Sequence, residues 1–250
     1  MIKNLRHFIA LAACFIALAS SAQDIHFSQF YMSPLNLNPA LTGVMNCNIR
    51  ATAIYRNQWA SVLGANAFKT FGASYDQKIP VGREDYFGVG GNLWADKAGE
   101  SNFSTISGLI SGSYSKKIGG YREKASYIVA GVQIGASQRS IDFLKIKWGT
   151  QHNGDGTVNP TLPSGENFTR DRFIFADINV GLLYFNILDK YNSFYAGAAF
   201  NHLNKPNQSF DDGPAEPLYN KMTFHAGGEF RMTDGLALVP GLVVFTQGPS

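Results

Sequence analysis

The run His152-Asn153-Gly154-Asp155-Gly156 combines turn residues and oxygen donors in the manner of a loop that wraps a calcium ion. A twelve-residue calcium loop needs an acidic first ligand and a Glu at its last position. Gln151 and Leu162 stand there instead, so the run is read as a turn-rich loop. The five histidines, His7, His26, His152, His202 and His225, show neither close ligand spacing nor a cysteine partner, and no metal site or cofactor is assigned. Gly88-Val89-Gly90-Gly91 lies inside an alternating pattern rather than opening a helix, so it is not a phosphate cradle. Ser111-Gly112-Ser113 lacks the strand-to-helix elbow that exposes a nucleophile. No catalytic residue is assigned, and His225, in step with Glu229 and Arg231, reads as part of a polar network lining a lumen.

The elements that carry these residues are strands. In Lys221 to Arg231, Met222, Phe224, Ala226, Gly228 and Phe230 share one face while Thr223, His225, Gly227, Glu229 and Arg231 share the other; a period of two residues is that of a β-strand. Ser104 to Tyr114 sets Ile106, Ile110 and Tyr114 against Thr105, Ser107, Ser111 and Ser113, with Leu109 an apolar exception on the polar side. Ser126 to Arg139 and Phe173 to Phe185 alternate in the same way. Stretches of about ten residues with aromatics near their ends fit the crossing of a bilayer at a tilt.

Lys3 and Arg6 precede the apolar run Phe8 to Ala19, and Ser20-Ser21-Ala22 follows with small residues. This predicts a secretory signal peptide over residues 1–22, with the mature chain starting at Gln23. Leu11-Ala12-Ala13-Cys14 also resembles a lipoprotein processing box, but the apolar run continues well past Cys14. With the signal removed, Cys47 is the one remaining cysteine, which excludes a disulfide framework. The sites Asn102, Asn167 and Asn207, each in Asn-x-Ser/Thr, carry meaning only in a glycosylating pathway.

Only 16% of the 250 residues are charged, against 45% hydrophobic, a balance suited to a barrel with few charges on its outer face. Outside the signal no apolar run reaches the length of a transmembrane helix; Leu236 to Phe245 is interrupted by Pro240. A net charge of +3 is too small and scattered for nucleic acid. Lys116-Lys117 and Arg122-Glu123-Lys124 read as a solvated hairpin end.

Nine strands are predicted, near 48–58, 67–77, 86–96, 103–116, 125–139, 172–186, 193–203, 220–232 and 235–247, preceded by an N-terminal segment at 23–47. Tyr121 to Lys124, Asp189 to Asn192 and Thr233 to Gly235 are tight turns, whereas 141–171 and 204–218 are long and rich in Gly, Pro, Asn and Asp. Long loops at one rim and short turns at the other is the habit of outer-membrane barrels. An odd strand count and an ending in Gly248-Pro249-Ser250 together predict a barrel over 23–250 that is truncated at its C-terminal end.

Asp24-Ile25-His26-Phe27-Ser28-Gln29-Phe30-Tyr31 leads into Ser33-Pro34-Leu35-Asn36-Leu37-Asn38-Pro39-Ala40 and Thr42-Gly43. Tyr55-Arg56-Asn57-Gln58-Trp59, Ser74-Tyr75-Asp76, Asp96-Lys97-Ala98-Gly99 and Gln138-Arg139-Ser140-Ile141-Asp142 follow in order. Over most of the mature length this resembles the PorP/SprF family of outer-membrane proteins associated with the type IX secretion system. The resemblance implies an all-β, antiparallel transmembrane barrel in the bacterial outer membrane, without enzymatic activity. It further implies partnership with the export machinery or with a large surface adhesin that is exported or anchored for gliding motility. A diffusion channel or transporter of hydrophobic substrates is the alternative, and an outer-membrane enzyme with its site on the rim is disfavoured by the missing catalytic constellation. Expected partners are membrane lipid and secretion components or a secreted adhesin, with no nucleic acid and no small-molecule substrate.

Ile110, Val132, Ile178 and Phe224 are expected to face lipid, and Ser111, Gln133, Asn179 and Glu229 the interior. No partner-binding residue is assigned. Asn38-Pro39-Ala40 is expected to set a tight turn ahead of the barrel, Arg56 to Trp59 to anchor a membrane rim, and the stretch Phe27, Phe30, Tyr31 to form either a plug or a rim segment.

Overall fold

A computed structural model describes residues 24–25, 27, 29–121, 124–159, 161–166 and 169–248. The signal segment 1–22 with Cys14, His7 and His26, the turn residues Arg122 and Glu123, and the glycosylation-type Asn167 lie outside the described residues.

One antiparallel sheet makes up the body of the molecule: β1 (Ile49–Gln58), β2 (Phe68–Val81), β3 (Asp85–Ala98), β4 (Phe103–Gly119), β5 (Ala125–Ser140), β6 (Arg172–Ile187), β7 (Ser193–Asn201), β8 (Lys221–Thr233), β9 (Leu236–Leu238) and β10 (Gly241–Gln247). Each strand pairs with the next in sequence, except that β9 and β10 both pair with β8. The sheet curls into a half-barrel whose outermost strands are β1 and β10.

The ninth expected strand is thus in two pieces. Pro240 has no N–H to give to a ladder, and its carbonyl accepts from the Gly228 amide instead. The strands also overrun the expected ten residues, β4 reaching 17. Its last turn is held beyond the apolar band by ion pairs of Lys116 with Asp85 and Lys117 with Glu84, both at 2.7 Å.

Alternation is obeyed across the sheet because its two faces meet different surroundings. Ile110, Val132, Ile178 and Phe224 are exposed on the convex face, while Ser111, Gln133 and Asn179 are buried on the concave one. Glu229 keeps the expected face without the burial of the others. It has the concave parity of His225, yet it is exposed, because it lies toward the turn end of β8, opposite Ser193 at the start of β7.

Connections sort by rim. Residues 59–67, 99–102, 141–171 and 202–220 join strands at one rim; 82–84, 120–124, 188–192 and 234–235 join them at the other. The long pair folds together. Phe210 sits among Phe103, Phe143 and Phe173, its ring centre 4.9 Å from that of Phe173. Arg139 bonds Gln208 and lies over the Phe103 ring, and Arg170 pairs with Asp212.

Candidate functional site

The concave face is occupied by the chain's own N-terminal segment, called the strap below, of which residues 24–25, 27 and 29–46 are described. Its fold follows from two prolines. Pro34 and Pro39 each open a short helical turn, Pro34–Leu37 and Pro39–Leu41, where a fixed φ and a missing N–H cost nothing. The Asn38 side chain caps the second turn by accepting from the Ala40 amide at 2.8 Å, as expected of Asn38-Pro39-Ala40. The stretch containing Phe27 and Phe30 lines a cavity against the sheet with Trp94, Leu109 and Phe245. Phe27 is buried there, whereas Tyr31, in the same stretch, is 63% exposed.

Asn38, Ala40 and Thr42 are fully buried against the sheet. Since Asn38 Oδ1 accepts from an amide, its Nδ2 is the end that reaches the Leu182 carbonyl at 3.1 Å and His225 Nε2 at 2.8 Å. His225 Nε2 is therefore the acceptor, and the ring proton is on Nδ1. Ala40 packs with Val129 and Leu183, and Leu41, Val44, Tyr127 and Phe185 close around them. Leu109, Val129 and Leu183 are apolar residues on the polar parity because strap, not water, lies against them.

Glycines make the room. A Cβ at Gly131 would stand 2.4 Å from the Ala40 nitrogen, and one at Gly88 2.2 Å from the Thr42 oxygen. Gly43, at φ +70, combines a left-handed backbone with a close approach to Gly88. Gly88, in the run that is poor as a phosphate loop, is thus a seat for the strap backbone.

Two polar assemblies hold the ends of the strap. Where it enters β1, Arg50 binds Asp76 with Nε at 2.9 Å and Nη2 at 2.7 Å, and Asp76 also accepts from the Gly43 amide at 2.7 Å. Arg50 Nη2 donates as well to the Leu41 carbonyl at 2.9 Å. Arg50 and Asp76 are directly opposite in the β1–β2 ladder, and Asp76 is fully buried. At the other end, Asp24 takes Lys221 Nζ at 3.0 Å and His202 Nε2 at 3.3 Å, while His202 Nδ1 faces Asp177 at 2.8 Å. Burial alone would strip His202 of its proton, but bonds to Asp177 and Asp24 outweigh it and hold the imidazolium up to about 9. For Asp24 burial likewise opposes charge, and Lys221 with His202 overcomes it, leaving the carboxyl well below its ordinary range. An imidazolium donating from both nitrogens to carboxylates is a structural cation and has no lone pair to act as a base.

Between the two ends runs a side-chain chain. Asn92 bonds Asn36 of the strap, Gln133 donates to Asn92 at 2.9 Å and to the Leu35 carbonyl, Asn179 donates to Gln133 at 3.1 Å, and the His202 amide donates to Asn179 at 2.9 Å. A cavity of about 50 Å³ lies beside it, a volume on the scale of a few waters. Among the described residues no group of three or more His, Cys, Asp and Glu side chains is arranged to hold a metal ion. His152 forms an isolated bridge to Val158 in a loop where Asp155 is engaged by Thr157. Trp59 follows β1 in a left-handed conformation and is exposed at the long-loop rim.

Of the segments whose order drew the resemblance, the strap and the Asp76 segment meet through Gly43, while Arg139 lies under the long loops. The family model for the type IX secretion system membrane protein PorP/SprF matches residues 19–250. The chain belongs to the PorP/SprF family. No curated protein and no solved structure matches it. Membership makes it a membrane component of type IX secretion; among the described residues no helix is long and apolar enough to cross a membrane, and it is the strands that carry an apolar outer face. The strap-binding residues were not assigned from sequence, although the glycines and apolar exceptions on polar parities were their signal.

Proposed function

We propose that this protein is a non-enzymatic outer-membrane barrel, delivered by a cleaved signal peptide, that works by docking. It presents the rim formed by 141–171 and 202–220 to the export machinery or to a large exported adhesin of the kind used in gliding. The observation that carries this reading is the union of the two long loops around Phe210 into one formed surface at one rim. Long loops conventionally face outward, where an exported partner is met. The strap, with Asn38, Ala40 and Thr42 fully buried against the sheet, weighs against an open diffusion channel.

Shortening both long loops tests the reading. The strand ladders do not depend on those loops, so the barrel is expected to insert at its normal level while surface display of the partner is lost. Normal display of every type IX cargo with both loops cut back would refute docking at this rim. Conductance of the reconstituted protein addresses the channel alternative: none is expected while the strap is seated.

A further inference from the structure

The contacts of the strap have a direction. Asp24 and Ile25 meet Lys221, the first residue of β8, and Asp24 meets His202, just past the last residue of β7; both places are at the long-loop rim. On β2, Phe27 lies over Gly72, Gly43 bonds Asp76, and the Met45 carbonyl accepts from Lys78, each step closer to the 82–84 turn. On β3, Asn36 meets Asn92 and Thr42 then lies over Gly88, again toward that turn. On β5 the order is Leu35 at Gln133, then Ala40 at Gly131, toward the 120–124 turn. Three strands agree, and the strap reaches Ile49 at the short-turn rim, where β1 begins.

We infer that the strap is threaded along the concave face from the long-loop mouth to the short-turn rim, so that its head at Asp24 lies beside the two long loops and adds to the same surface. The Asp24 cluster with His202, Lys221 and Asp177 is the latch at that mouth. A partner that engages the long loops also meets the head of the strap, and a pull on that head acts directly on the groups that fill the lumen. The threading goes beyond the docking reading and does not rest on it, since it concerns only which rim the head of the strap shares.

Cys47 supplies a probe for the opposite end. It is exposed, two residues before β1. In the full chain in outer membranes, a membrane-impermeant maleimide is applied from one side or after rupture. Three versions are compared: native Cys47, Leu144→Cys with Cys47→Ser, and a Gly-Ser-Cys-Gly insertion between Gln23 and Asp24 with Cys47→Ser. Leu144 is 98% exposed in the 141–171 loop. The insertion is expected to label from the same side as Leu144→Cys, at least tenfold faster than from the other, and Cys47 to label from the opposite side. Labelling of the insertion from the side of Cys47, from both sides alike, or from neither overturns the threading. An epitope placed at the same point, read by antibody on intact and ruptured cells, repeats the test should the cysteine insertion fail to assemble. Because sidedness is compared within one protein, normal cargo display after loop shortening would refute docking and leave this result unchanged.

Discussion

Replacing Asp76 by Asn leaves the shape of the Arg50 clamp and removes its charge. In the wild type, Asp76 accepts two hydrogen bonds from Arg50 and one from the Gly43 amide. Asn has one acceptor oxygen, so its amide nitrogen must face at least one of these donors. Removing one partner of a buried ion pair costs about 3–5 kcal/mol. The Arg50 side chain retains 22% exposure, and water can take up part of its charge, which points to the low end, about 3 kcal/mol. Urea unfolding of the refolded protein in detergent, followed by Trp fluorescence, reads this difference; Trp94 is buried against the strap cavity. A double-mutant cycle with Arg50→Gln should return a coupling of about 2 kcal/mol or more, since removing both charges leaves neither stranded. A loss below about 0.5 kcal/mol, the range of an exposed pair, would refute the claim that the clamp is a buried anchor of the strap.

Other expectations are more easily stated. Ile110→Arg on the convex face should cost about 2–4 kcal/mol in a bilayer, while Glu229→Arg should be close to neutral by the same unfolding measurement. Gly131→Val should unseat the strap, since even a Cβ would stand 2.4 Å from the Ala40 nitrogen; proteolysis at residues 29–46 reports it, with Ala130→Val on the convex face as the control. For the latch, the folded His202 titrates at about 9 against an ordinary 6.5. Its stabilisation is therefore complete below about pH 6.5 and is lost as pH rises through about 9. Asp24, held low, adds stability above its ordinary 3.8 that falls away on acidification. His202→Gln should flatten the alkaline limb of stability against pH and weaken the acid limb without abolishing it, because Lys221 still pairs with Asp24.

The sheet was legible because each strand separates two surroundings, and a one-residue slip would exchange them. Ile110 against Ser111 and Val132 against Gln133 declare their faces without any contact being known. Pro240 was passed over by the single strand expected at 235–247, and its missing N–H is what splits that strand into β9 and β10. The strap was not legible in this way. Short helical turns at Pro34 and Pro39 are too brief to show a period, and their burial depends on a groove formed by residues far along the chain. Asp76 and Arg50 are an ordinary pair of charges until β1 and β2 set them opposite each other. Leu109, Val129 and Leu183 were the available clue: apolar side chains on a polar parity require a covering that is not water. Glu229 keeps the interior parity yet is exposed, because parity gives the face of a strand and not how far along it the strap extends.

The central claim is that residues 24–46 fill the concave face of the sheet. Amide hydrogen exchange at Ala40 and Gly43, in the full chain inserted in bilayers, tests it most directly, since these amides donate to Asn38 and Asp76 inside the lumen. Protection comparable to that of the central amides of β4 and β5 is expected. Exchange at the rate of an unstructured peptide, with the strands still protected, would contradict the account.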